Sequence, residues 1–188
     1  QAKTLTPAEQ EKLLAYIASK PNAQRNRAMF LLTLWAGFRV GEVAGLKIGD
    51  VRNADGSVRS EIYLSADRVK HGHAGVVYLN DRLQQELTAY IASRKWHSDE
   101  QALFTTQANP RKGFSANTLT QHFHYMYKRA GIDSGSSHSG RRTFITTLAN
   151  KGVSVRLLAS LVRHANIATT QRYIDVNDDM KRKAVELI

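Results

Sequence analysis

This chain has no cysteine, which excludes disulfide staples and thiolate metal sites and fits a reducing compartment, the cytoplasm. It has no apolar run of the ~20 residues that a membrane-spanning helix needs. Residues 1–12 are polar and open a helix, so no secretory leader is expected there. Internal repeats and low-complexity tracts are missing too. The chain begins on Gln1 rather than methionine and is expected to be a trimmed piece of something longer. Acid is scarce where it matters most: from Gln101 to Ile174 the sole acidic residue is Asp133. The same stretch carries Arg111, Lys112, Lys128, Arg129, Arg141, Arg142, Lys151, Arg156, Arg163 and Arg172. A field of one sign over that length attracts a polyanion and makes affinity salt-dependent through counterion release. Nucleic acid is therefore favoured over a basic surface kept only for solubility.

What remains is ordinary globular material. With 188 residues, 42% hydrophobic and 23% charged, and a net charge of +11, the chain fits one domain, residues 1–188. Such a chain buries roughly 70% of its unfolded surface without needing staples. Thr6-Pro7-Ala8-Glu9 is a capping box with proline at the first helical position, followed by Leu13, Leu14, Tyr16 and Ile17 at helical spacing. A second helix over 24–37 is apolar enough to be central, and a short one over 40–46 follows. Asp55-Gly56 is a turn signal between segments of strand character, the best strands being 58–64 and 75–79. His71-Gly72-His73 falls at the tip of a hairpin in that small sheet. Beyond it the pattern is helical: Asn80 caps a helix to about 95, and Ser115 one that ends at Gly131. Helices over 139–152, around 155–162 and over 178–188 complete the chain. The fold class is α+β, mostly α, with a small three-stranded antiparallel sheet.

Three segments carry candidate chemistry. In Ser137-His138-Ser139-Gly140-Arg141-Arg142-Thr143, His138 and Arg141 sit three apart at a helix start and share a face. Helix N-terminal amides add positive potential there, and the planar Arg141 fork can grip two phosphate oxygens. His164 follows an apolar face and reads equally as a buried, hydrogen-bonded histidine. Tyr173 reads as a packing residue or as a nucleophile; its phenol, of pKa about 10, needs a base and a cationic environment to attack at neutral pH. Glu42, three after Arg39, is better read as a partner holding that arginine than as a base. The pairs His71/His73 and His122/His124 each lack a third metal ligand, so no metal site is expected.

The stretch from His138 to Tyr173 resembles the signature of the tyrosine recombinase, or phage integrase, family. Trp35-Ala36-Gly37-Phe38-Arg39-Val40-Gly41-Glu42 resembles that family's first arginine box. Val69-Lys70-His71-Gly72-His73-Ala74-Gly75-Val76 resembles its lysine-bearing hairpin. The resemblance implies a metal-free, cofactor-free transesterification on double-stranded DNA. Tyr173 would attack the scissile phosphate to give a 3′-phosphotyrosine, while Arg39 and Arg141 bind the non-bridging oxygens. His164 would donate a hydrogen bond to the same group, Lys70 would protonate the leaving 5′-oxygen, and His138 would help accept the tyrosine proton. Arg111, Lys112, Arg142 and Arg163 would be DNA contacts.

The same resemblance implies a catalytic domain whose N-terminal core-binding partner lies outside this chain. It implies a homotetramer of the full protein on DNA, a fragment that is monomeric alone, and a C-terminal segment, 176–188, that passes to a neighbour. The setting would be bacterial or phage-derived and nucleoid-associated. The sequence departs from the pattern at three positions. Arg163 stands where glycine usually precedes the histidine, Arg142 where a second histidine is common, and Tyr78 where proline is frequent. Two rivals stay open: a type IB topoisomerase with the same chemistry, and a non-enzymatic DNA-binding module.

Overall fold

The computed structural model describes residues 2–69 and 74–188. Ten α-helices, a short 3-10 turn at Ala66–Arg68 and one antiparallel strand pair are found among them. Helix α1, Pro7–Ala18, starts on the expected box: Glu9 N–H donates to Thr6 Oγ1 at 3.2 Å, and Thr6 N–H to Glu9 Oε2 at 3.0 Å. Helix α2, Ala23–Ala36, is the axis of the molecule, with Met29, Phe30, Leu31 and Leu32 wholly buried. It packs against α1, against α5 (Asp81–Ala92) and against α7 (Ser139–Asn150). Covered on so many sides, the helix is nearly continuous apolar material from Ala28 to Ala36, after a polar first turn at 24–27.

Gly37 closes α2 in a left-handed conformation, φ 67°, with a β-carbon there meeting the Phe144 ring at 2.7 Å. The tight exit sends the chain directly into α3, Val40–Ala44, whose first residue follows Arg39. Helix α3 packs on α6, Ala116–Arg129, capped by Ser115 as expected. The remaining helices are α8 (Val155–Leu161), α9 (Ile167–Gln171) and α10 (Asp178–Val185). Helix α10 lies beside the end of α7 and the start of α8 across a cavity of about 840 Å³.

The sheet departs from expectation. Strands β1, Glu61–Leu64, and β2, Gly75–Tyr78, pair antiparallel in the register Glu61↔Tyr78 to Leu64↔Gly75. No third strand is found among the described residues. The expected strand over 58–64 is shorter because Val58 reaches only a single bridge, to Arg52. Its would-be partner is consumed by a helical turn, α4, Ile48–Val51. Asp50 Oδ2 accepts the Lys47 N–H at 2.7 Å and bends residues 48–51 out of the extended form. Ile48 and Val51 are wholly buried, so the turn is locked by packing. The expected hairpin tip, His71-Gly72-His73, lies outside the described residues, as does Lys70.

Candidate active site

Arg39 caps the N-terminus of α3 in an extended conformation, and Glu42 folds back onto it. Glu42 Oε2 accepts the Arg39 N–H at 2.9 Å, and Oε1 accepts from Arg39 Nη1 at 2.9 Å. Arg141 projects from the first turn of α7 and is 5% exposed. Its Nη1 donates to Gly37 O, two residues before Arg39, and its Nη2 to Val162 O. One guanidinium thus ties together the end of α2, the start of α7 and the end of α8. The two phosphate-binding candidates therefore share one site rather than opposite faces.

His164 and Tyr173 meet across α9. The His164 ring stacks on Tyr173, centroids 5.9 Å apart and planes 23° apart, and its Nδ1 lies 2.8 Å from Thr170 Oγ1. Burial, then the charges of Arg141, Arg39 and Arg163, pull the His164 imidazole down to about 4, so it is neutral at physiological pH. In the tautomer whose Nδ1 accepts from Thr170, Nε2 carries the hydrogen and can donate to an anion. Arg142 lies over the other partner, its guanidinium 5.2 Å from the Tyr173 ring centroid, while its Nε donates to Thr4 Oγ1 at 3.1 Å.

The electrostatics show a site short of negative charge. Burial, then repulsion from Arg39 and Arg163, draws Arg141 down to about 9, against the opposing pull of Glu42 and Tyr173. Burial favours a protonated Glu42, yet Arg163, the Arg39 backbone N–H and Arg39 itself hold its carboxyl below the usual range. A low-dielectric pocket with more guanidinium than carboxylate is one that an incoming phosphodiester would neutralise.

Arg39, Arg141, His164 and Tyr173 are thus brought together. His138 is exposed at the N-cap of α7, one turn before Arg141. Arg111 and Lys112 are exposed on the turn bridged by Thr105 and Gly113, ahead of α6. Arg142 and Arg163, expected as DNA contacts, lie against groups of the site: Arg142 over Tyr173, and Arg163 on Glu42, where Nη2 donates to Oε2 at 2.6 Å. Lys47 is ion-paired with Glu100 at 2.6 Å. His122 Nε2 donates to Asn26 Oδ1 at 3.1 Å within the protein, and His124 is exposed against Tyr125. Sequence reasoning missed Thr170, wholly buried beside His164. Its neighbours Thr169 and Gln171 are equally polar, and only the Asn166 cap, accepting from Ala168 N at 2.9 Å, signals the turn that aims it.

A buried arginine, a half-buried one, a neutral histidine and a stacked tyrosine thus make one cationic site whose chemistry suits a phosphoryl group. The phage integrase family model matches residues 3–180, and the chain belongs to that family. The tyrosine recombinase XerA of Thermococcus kodakarensis is 33% identical, over 98% of this chain and 62% of that protein. A crystal structure of XerA recombinase superposes with a TM-score of 0.76 at 27% identity, covering 98% of this chain and 64% of that one. A Tn1549 transposon integrase, solved with circular-intermediate DNA, shares the fold at TM-score 0.80 and 23% identity, over 100% of this chain and 66% of that one. The chain spans about three fifths of the length of its XerA relative, 62%.

Proposed function

We propose that this chain is the catalytic domain of a tyrosine-type, site-specific DNA recombinase, cutting and rejoining DNA through a 3′-phosphotyrosine without metal or nucleotide cofactor. One observation carries the reading: Tyr173 is stacked on His164, whose imidazole is held neutral by burial first and then by Arg141, Arg39 and Arg163. A scissile phosphate seated between the arginines and Tyr173 would meet the phenol on one side and the His164 Nε2–H on another. Membership of the phage integrase family supports the same assignment.

The step balances without outside reagents. The Tyr173 oxygen forms a bond to phosphorus as the bond to the 5′-oxygen breaks. The phenolic proton passes toward His138, and Lys70 protonates the leaving oxygen. Arg39 and Arg141 bind the non-bridging oxygens, whose charge grows in the transition state. Rejoining reverses this, with a 5′-hydroxyl attacking the phosphotyrosine, so bond energy is conserved. Double-stranded DNA is the substrate, consistent with the net charge of +11. The working form is a homotetramer on DNA in the nucleoid, with residues 1–188 one domain of a two-domain clamp and monomeric alone.

The test is a nicked suicide duplex bearing the DNA junctions that flank the gene. The reading predicts a covalent protein–DNA adduct on a denaturing gel, formed in the presence of a chelator. Binding without any adduct, from a chain joined to its remaining domain, would replace it with a non-enzymatic binding module.

A further inference from the structure

Three helices in this protein end in the same backbone closure. After α6, Ile132 N–H donates to Tyr127 O and Gly131 N–H to Lys128 O, with Gly131 at φ 70°. After α7, Val153 N–H donates to Leu148 O and Gly152 N–H to Ala149 O, with Gly152 at φ 87°. After α8, His164 N–H donates to Ala159 O at 2.9 Å and Arg163 N–H to Ser160 O at 3.1 Å, with Arg163 at φ 55°. These are Schellman turns, whose left-handed residue is normally glycine because a β-carbon there crowds the following carbonyl. The third turn carries arginine regardless.

The side chain adds a second penalty. Arg163 is 5% exposed at its side chain, and its Nε and Nη1 are buried with no hydrogen-bond partner among the described residues. Buried donors left unmade are expensive. Against both penalties stands one contact, Nη2 to Glu42 Oε2 at 2.6 Å. Glu42, 4% exposed, holds the Arg39 guanidinium with its other oxygen. The site is also shaped for this arginine: its Cδ lies 2.7 Å from where a β-carbon on Gly75 would be, so β2 accepts the stem only because residue 75 is glycine.

Charge balance explains what the contact does. A buried carboxylate facing Arg39 alone would cancel the cation that a phosphate needs. A second guanidinium on that carboxylate leaves the Arg39–Glu42–Arg163 set net positive while keeping Arg39 oriented. We propose that Arg163 is a positioning residue which, through Glu42, fixes the Arg39 guanidinium and preserves its charge for the scissile phosphate. This rests on the recombinase reading above.

The experiment compares Arg163→Gly, Arg163→Lys, Glu42→Gln and the Arg163→Gly/Glu42→Gln double variant on the nicked duplex at saturating protein. Arg163→Gly should cleave on the order of a hundredfold more slowly, the loss expected when a catalytic group is displaced, with duplex affinity near that of the starting protein. Arg163→Lys should recover part of the rate. The double variant should be no slower than its slower parent, because Arg163 acts through Glu42. A wild-type rate for Arg163→Gly, or multiplying losses in the double variant, would overturn the inference. A second readout needs no activity: the Arg39 Nε–Hε NMR signal, identified by its loss in Arg39→Lys. It should be sharp and slow to exchange in the starting protein, and shifted or broadened in Arg163→Gly. An unchanged signal overturns the inference by itself, whereas a starting protein that forms no adduct counts against the recombinase reading instead.

Discussion

Gly140→Ala is the change whose sign tests the packing beneath the site. Replacing a helical glycine by alanine ordinarily stabilises by ~0.4–1 kcal/mol through the unfolded chain. Here the new β-carbon would sit 2.1 Å from Thr33 Oγ1 and 2.9 Å from Thr33 Cβ. Thr33 cannot step aside: it is wholly buried in α2, and its hydroxyl donates to Phe30 O at 2.7 Å. Non-bonded atoms rest at ~3.5 Å, so α7 must retreat from α2 by about 1 Å. Overpacking of this kind costs ~1–3 kcal/mol, enough to outweigh the gain. A net loss of about 1 kcal/mol lowers the melting temperature by about 2–4 °C in a domain of this size.

The consequence for chemistry follows from the next residue. Arg141 rides on α7 but is anchored to Gly37 O at the end of α2 and to Val162 O after α8. Withdrawing the helix by an ångström pulls its guanidinium out of register, a displacement worth on the order of a hundredfold in rate. Thermal unfolding by circular dichroism and single-turnover cleavage of the nicked duplex read the two effects. Adding Thr33→Ala, which removes the nearest clashing atom, should restore part of both. Gly140→Ala melting at or above the wild-type temperature with undiminished cleavage would refute the reasoning.

Other outcomes follow from the same geometry. Arg142→Ala removes the cation over the Tyr173 ring, an interaction worth ~0.5–1 kcal/mol at a partly exposed site. Cleavage at saturating DNA should slow by about two- to fivefold, whereas weaker binding with an unchanged saturated rate would make Arg142 a DNA contact instead. Both His164 and His122 are held down to about 4, each by burial first and then by neighbouring arginines. The unfolded chain takes up these protons near the ordinary histidine value while the folded chain refuses them. Their contribution to stability is thus complete above ~6.5 and is lost as pH falls toward the folded values. Urea midpoints should decline between pH 7 and 4.5, and His122→Asn should flatten the decline; a midpoint constant over that range contradicts the assignment.

Much of this fold is legible in local chemistry. Thr6, Asn80 and Ser115 each announce a helix because a side-chain oxygen near an otherwise unpaired amide is a local event, and all three accept as expected. Two short helices, α4 and α9, escape such reading. Helix α4 was hidden in a segment of strand character because its stability comes from burying Ile48 and Val51, not from propensity. The site divides in the same way. The order of Arg39, His138, Arg141, His164 and Tyr173 could be read along the chain, and the structure brings all but His138 close together. The direction of Arg142 and Arg163 could not. Arg163 points inward because the left-handed turn at φ 55° swings its side chain under β2, which depends on a backbone closure and on Gly75, 88 residues earlier in the numbering. Surface charge and buried charge have the same letter in a sequence.

The central claim is that the Tyr173 oxygen takes the DNA. The direct measurement is to trap the adduct on a nicked duplex, digest it with nuclease and trypsin, and locate the residual nucleotide by mass spectrometry. The account predicts a phosphoryl nucleotide on the peptide that begins at Tyr173, just after Arg172, and no adduct from Tyr173→Phe, which should still bind the duplex. A nucleotide on any other residue, or an adduct that persists in Tyr173→Phe, would contradict it.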